Sequence, residues 1–113
     1  LHPGEAPRSC HLWDVLSGVS GPFVAASDNV ALVPELVSPW FGEGREVNGR
    51  LWALGTDGFG RSDTRARLRR HFEVDTESVV LATLHAVGSD AATITKAMAD
   101  LGLNPEQQNS FFV

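Results

Sequence analysis

The chain has 113 residues, 42% of them apolar, with a formal net charge of −5 and an isoelectric point near 5.2. This length and composition predict one globular domain with a hydrophobic core. The acidity argues against general electrostatic binding of nucleic acid, and no apolar run approaches the roughly 20 residues that cross a bilayer. A single cysteine, Cys10, excludes an internal disulfide. We therefore expect a cytoplasmic location, with no nucleic acid or membrane partner.

The first half of the chain predicts two helices around one short strand. Residues 1–10 are rich in proline and glycine and predict an extended lead-in. Residues 11–18 predict a short helix, and the apolar run 22–27 predicts a buried strand. Helical spacing over 30–41 predicts a second helix, which Pro39 should end or bend.

The second half predicts one strand and three helices. Residues 50–54 are short, apolar and bounded by glycines, as in a buried strand. Gly102 stands where a helix commonly ends, and 104–113 is a tail whose final 111–113 either dock or fray. The three helices begin after N-caps at Ser62 or Asp63, at Asp75, and at Ser89 or Asp90.

The order of these elements predicts an α/β domain with a mainly parallel sheet. Two strands are fewer than the five or six of an average sheet. We therefore expect residues 1–113 to be the C-terminal α/β domain of a larger protein, or a fragment of one, that lacks its first strand or strands.

A glycine-rich loop between the second strand and the next helix is the first candidate site. Helix N-termini attract anions, but the spacing G-x-x-G-x-G is not the dinucleotide fingerprint, and no Lys-Ser/Thr follows as in a phosphate-binding loop. The alternative is a structural joint, in which glycines permit close strand–helix approach and Asp57 and Ser62 bond to loop backbone. We favour the joint and leave open a small-anion or nucleotide site. The loop residues are Gly55, Thr56, Asp57, Gly58, Phe59, Gly60 and Ser62.

Arginines that follow this loop are the second candidate. Arg61, Arg65 and Arg69 recur every four residues and would share one helical face, which could meet an acidic partner or a phosphate. The alternative, which we favour, is a solvated face or ion pairs with acidic residues at 73, 75 and 77. Ser27-Asp28 follows the first strand, where α/β folds often place ligands. No His, Cys or carboxylate group has metal-ligand spacing, and no nucleophile–base pair lies near Ser27-Asp28, so we expect no metal-binding or catalytic residue in this chain.

The stretch GTDGFGRSDTRARLRRHFEVD, followed by ESVVLATL, closely resembles the C-terminal domain of bacterial homodimeric pyruvate dehydrogenase, a member of the transketolase-like superfamily. LHPGEAPR and PFVAASD resemble the lead-in and preceding strand of that family, so the resemblance runs from residue 1 to about 88. It implies a three-layer α/β/α fold and a domain that supplies no residue to the cofactor but stabilises a dimer.

The same resemblance implies a larger enzyme with thiamine diphosphate and magnesium bound by its other domains. That enzyme decarboxylates pyruvate and passes the acetyl group to a lipoyl arm, with a dihydrolipoyl acyltransferase as partner; this chain alone would be inactive. The remainder of the enzyme could be the same polypeptide or a separate one. Two alternatives stay open: a transketolase or other thiamine-diphosphate enzyme with a different substrate, and a protein-interaction module that uses the Arg61–Arg70 face.

Overall fold

Two short parallel strands form the centre of the fold. In a computed structural model, which describes residues 2–6 and 8–113, β1 spans Phe23–Ala26 and β2 spans Leu51–Leu54, and Phe23 pairs with Leu51 in parallel register. The predicted α/β class and parallel sheet are confirmed. Leu1 and Pro7 of the predicted lead-in 1–10 lie outside the described residues.

Helices surround this sheet in the predicted order. The long helix α4 packs against both strands, α5 packs on α4, and α2 contacts β2. Parallel strands need such a cover because both of their faces are apolar. The helical segments are α1 at His11–Leu16, α2 at Leu32–Glu35, α3 at Arg65–His71, α4 at Thr76–Ala86 and α5 at Ala91–Asp100, with 3-10 turns at Ser38–Trp40 and Ser110–Phe112.

The predicted helix over 30–41 is wrong in its length. Only Leu32–Glu35 is α-helical, and a separate 3-10 turn follows at Ser38–Trp40. Pro39 has no backbone N–H to donate to the carbonyl of Glu35, so an α-helix cannot continue through this point.

The N-cap residues predicted from the sequence are confirmed for two of the three helices α3, α4 and α5. The carboxylate of Asp75 accepts a hydrogen bond from the Ser78 N–H at 3.0 Å, and that of Asp90 accepts from the Thr93 N–H at 2.7 Å. The predicted cap of α3 at Ser62 or Asp63 is wrong, because Thr64 holds that position and accepts from the Arg67 N–H at 3.4 Å.

The chain exposes far more surface than a folded monomer of its size. Its accessible area is 8189 Å², whereas a 12.2 kDa monomer exposes about 6,100 Å². The radius of gyration is 17.1 Å against about 13 Å for a compact domain of this length. Among the described residues, Val47 and Val74 are the buried apolar side chains. The fold as it stands leaves most of its apolar side chains partly in contact with water.

Candidate functional site

The glycine loop is packed against the chain's own backbone. A Cβ atom built on Gly55 would lie 2.5 Å from the Ala31 Cα and 2.6 Å from the Val30 carbonyl carbon. One built on Gly58, whose φ is +114°, would lie 2.8 Å from the Ser110 carbonyl carbon. Both distances are inside van der Waals contact, so these glycines permit close approach of the segment before α2 and of the tail. The positions that a Cβ atom would take on Gly55 and Gly58 are therefore filled by the chain's own backbone.

Hydrogen bonds hold this joint from both sides. The Thr56 N–H donates to the Asn29 carbonyl at 2.8 Å, and the Ala31 N–H donates to the Asp57 carboxylate at 3.3 Å. The tail is tied to the same loop, because the Ser110 hydroxyl donates to the Asp57 carbonyl at 2.6 Å. These contacts support the interpretation of the loop as a structural joint. They include no hydrogen bond from the Ser62 side chain, which was expected to take part, and the Phe59 ring projects into solvent.

Asp28 is the centre of the charged part of the site. It follows β1, and its carboxylate accepts hydrogen bonds from the Arg69 guanidinium at 3.0 to 3.3 Å, while the Arg65 guanidinium lies 4.0 Å away. The hydrogen bond from Arg69 holds the pKa of Asp28 below its usual value, and the nearby charges of Arg69 and Arg65 lower it further. Asp28 therefore remains ionised and fixes Arg69 in place.

The predicted shared face of Arg61, Arg65 and Arg69 is wrong as a helical face. Because α3 begins at Arg65, Arg61 belongs to the preceding loop and has no helical register with the other two. The structure nevertheless brings all three to one cavity of about 470 Å³ at the carboxyl ends of the strands. We call this cavity the arginine pocket; its lining is completed by Asp28, Thr56, Gly58, Gly60, Asp63, Leu68 and Phe72.

The remaining arginines of the segment are paired. Arg70 contacts Asp75 and lies 3.3 Å from Glu77, and Arg67 lies 3.8 Å from Asp63. The pairs with 75 and 77 are those expected from the sequence, whereas the expected pair with Glu73 does not occur among the described residues. Sequence reasoning missed the Asp28–Arg69 pair, since 41 residues separate the two. The position of Asp28 directly after a strand was the available signal.

The described residues do not fit a thiamine-diphosphate and magnesium site. Magnesium takes oxygen ligands from carboxylates and phosphates, and no group of three or more His, Cys, Asp or Glu side chains within 2–6 and 8–113 could hold a metal ion. Other backbone segments of the chain lie directly beside Gly55 and Gly58.

No helix in the described ranges has both the length and the apolar character for crossing a bilayer.

The fold is that of a small parallel α/β domain, in which a glycine-rich loop connects β2 to α3. No family model matches the chain. It is 39% identical to the pyruvate dehydrogenase E1 component of Pseudomonas aeruginosa over 113 residues, which cover 96% of the chain and 12% of that protein. It is 39% identical to the same component of Cupriavidus necator over 117 residues, covering 100% of the chain and 12% of that protein. The component of Mycolicibacterium smegmatis is 44% identical over 89 residues, covering 79% of the chain and 9% of that protein.

The homologues of this chain are thus pyruvate dehydrogenase E1 components, and the chain matches the C-terminal domain of that enzyme. The resemblance carried by residues 55–75 is confirmed. The chain spans about a tenth of the length of the curated relatives it matches.

Proposed function

We propose that this chain is a non-catalytic C-terminal domain of a thiamine-diphosphate-dependent pyruvate dehydrogenase, with the role of stabilising the dimer and the larger complex. The whole enzyme would decarboxylate pyruvate and acetylate a lipoyl arm, with magnesium and thiamine diphosphate in its other domains. It would act in the cytoplasm with a dihydrolipoyl acyltransferase as partner. The similarity to pyruvate dehydrogenase E1 components over nearly the whole chain supports the enzyme class.

The observation that carries the structural role is the excess surface. The area above that of a compact monomer is about 2,000 Å², which is as large as the area that many stable interfaces bury in total. Large apolar side chains contribute to the exposed surface, among them Leu32, Leu36 and Phe112, and contiguous exposed apolar patches commonly mark interaction sites. A domain that packs against the rest of an enzyme would cover it.

Helix α2 and the two residues that follow it supply a clear example of this surface. Leu32 and Leu36, one turn apart, are 62% and 66% exposed, and Val33 and Val37 are exposed beside them. Each leucine would contribute about 1.5–3 kcal/mol if an interface buried it fully. We call these four residues the α2 apolar face.

The test replaces this face in the native protein. In the double variant Leu32→Asp/Leu36→Asp, we expect association with the rest of the assembly to weaken by roughly 100-fold or more, as measured by light scattering on a sizing column. The matched control is Val87→Asp, because Val87 is also an exposed apolar residue, 59% exposed, but follows α4. Unchanged assembly of the double variant, or equal loss in the control, would contradict the proposal.

The non-catalytic role has its own test. We expect calorimetric titration of the chain with thiamine diphosphate and magnesium to give no binding heat, because its described side chains offer no group of metal ligands. Binding with a dissociation constant in the micromolar range would refute the non-catalytic role while leaving the assignment to the enzyme intact.

A further inference from the structure

We propose that the arginine pocket binds a small organic phosphate with a planar or apolar body, of the size of a nucleotide. The pocket shares Thr56, Gly58 and Gly60 with the glycine loop, and the proposal does not rest on the proposed function because it concerns only residues of this chain. Three features support the proposal: the guanidinium groups of Arg61 and Arg65, the apolar wall of the pocket, and its volume.

Among the described residues, Arg61 and Arg65 donate no hydrogen bond to a carboxylate, in contrast to Arg69. Arg69 is held by Asp28 through three hydrogen bonds. Arg65 lies at 4.0 Å from the same carboxylate and makes no hydrogen bond there, and Arg61 has no ion pair among residues 2–6 and 8–113. Asp63, the other acid in the lining, is engaged by Arg67 from outside the pocket. An anion that enters would therefore meet the guanidinium groups of Arg61 and Arg65, which suit the bidentate recognition of phosphate.

One wall of the pocket is apolar. Leu68 lies on α3 and Phe72 directly follows this helix, one turn further along, and both are half-buried and line the cavity. Gly60 leaves open space at its own position, since a Cβ built there would meet no heavy atom within 4 Å. This wall gives an organic body a surface to pack on, which inorganic phosphate alone would not use.

The size and position of the pocket favour a small molecule over an acidic protein segment. A cavity of about 470 Å³ lies within the range of small-molecule sites, roughly 300–1,000 Å³. It lies at the carboxyl ends of parallel strands, where Asp28 follows β1 and Thr56 follows β2, and α/β sheets commonly bind ligands at these ends. The Thr56 hydroxyl donates to the Asp28 carbonyl at 3.0 Å and so ties the two strand ends together.

The test uses the native protein that contains this chain, with the subunits that accompany it, and titrates ADP in a calorimeter. We expect binding in the micromolar to low millimolar range, weakened at least about tenfold in Arg61→Ala/Arg65→Ala, because charge-assisted hydrogen bonds are lost. The matched control is Arg8→Ala/Arg45→Ala, which removes the same charge at two exposed positions outside the pocket lining and should bind ADP normally. The altered arginines are all exposed, so the variants should fold, as circular dichroism will check.

A second variant tests the apolar wall. We expect Phe72→Leu to weaken ADP binding several-fold and to leave binding of inorganic phosphate unchanged. Absence of ADP binding at millimolar concentration would overturn the proposal, and so would equal affinity in the pocket variant and the wild type, or equal weakening in both double variants. If hexaglutamate binds through Arg61 and Arg65 whereas ADP does not, the proposal is also overturned, because the arginines then serve an acidic protein partner.

Discussion

Replacement of Gly55 by alanine is the sharpest test of the structural joint. The new Cβ would lie 2.5 Å from the Ala31 Cα and 2.6 Å from the Val30 carbonyl carbon, whereas ordinary contact begins near 3.4 Å. The neighbours are backbone atoms and cannot rotate away. Because the Ala31 N lies nearer still to the new Cβ, the segment before α2 and the end of β2 must separate by more than about 1 Å.

The expected cost is about 3 kcal/mol. Overpacking of this kind costs about 1–3 kcal/mol. The separation also strains the hydrogen bonds from the Thr56 and Ala31 N–H groups, and each such bond contributes about 0.5–1.5 kcal/mol. A loss of about 3 kcal/mol corresponds to a roughly 100-fold rise in the population of the opened joint.

Hydrogen–deuterium exchange of the Thr56 and Ala31 amides measures this opening directly. We expect exchange at both amides to quicken by about two orders of magnitude in Gly55→Ala. Gly60→Ala is the matched control, because a Cβ at that position meets open space and should change stability by less than about 0.5 kcal/mol. Equal exchange in the two variants would refute the role of Gly55 in close packing.

Two further outcomes are expected. Glu73→Gly should raise the free energy of unfolding by about 0.5–1 kcal/mol. Glu73 follows the C-cap of α3 with φ of 56°, and the Val74 N–H donates to the Arg69 carbonyl in a left-handed cap. A lower thermal midpoint in the variant would contradict this reasoning. Because the folded-state pKa of Asp28 is lowered by Arg69, its contribution to stability should be present above the unfolded-state pKa and should fade as the pH falls below about 4. Carboxyl NMR titration checks this, and Arg69→Gln should move the Asp28 midpoint upward; an unmoved midpoint would exclude Arg69 as the cause.

Local patterns in the sequence were enough to find the elements of this fold. The strands at 23–26 and 51–54 are short apolar runs between turn residues, and the caps at Asp75 and Asp90 follow from the hydrogen-bonding capacity of a carboxylate at a helix start. The helix predicted over 30–41 is shorter in the structure, although the sequence does predict the break at Pro39, where a 3-10 turn replaces the α-helix. The cap of α3 was misplaced by one or two residues, since three consecutive polar residues, 62–64, can each cap a helix.

Contacts between distant segments could not be predicted from the sequence. The packing of Gly55 on Ala31 and of Gly58 on Ser110 joins residues that are 24 and 52 positions apart, and no local pattern marks either pair. The spacing of the glycines excludes a dinucleotide-binding fingerprint but does not predict which segments pack against the loop. What fills the space beside the glycines depends on where the α2 segment and the tail return in three dimensions.

The number of arginines in residues 61–70 overstates how many of them are available to bind an anion. Five of the nine basic residues lie within 61–70, which suggests a strongly basic face. In the fold, Arg67, Arg69 and Arg70 have acidic partners at Asp63, at Asp28, and at Asp75 with Glu77. Among the described residues this leaves Arg61 without an ion pair, while Arg65 lies 4.0 Å from Asp28, which already accepts hydrogen bonds from Arg69, and both Arg61 and Arg65 border the same cavity. An extended acidic surface would need the whole row of five, whereas a single phosphate needs only two guanidinium groups. The pairing therefore favours a small ligand at the strand ends over a broad docking face.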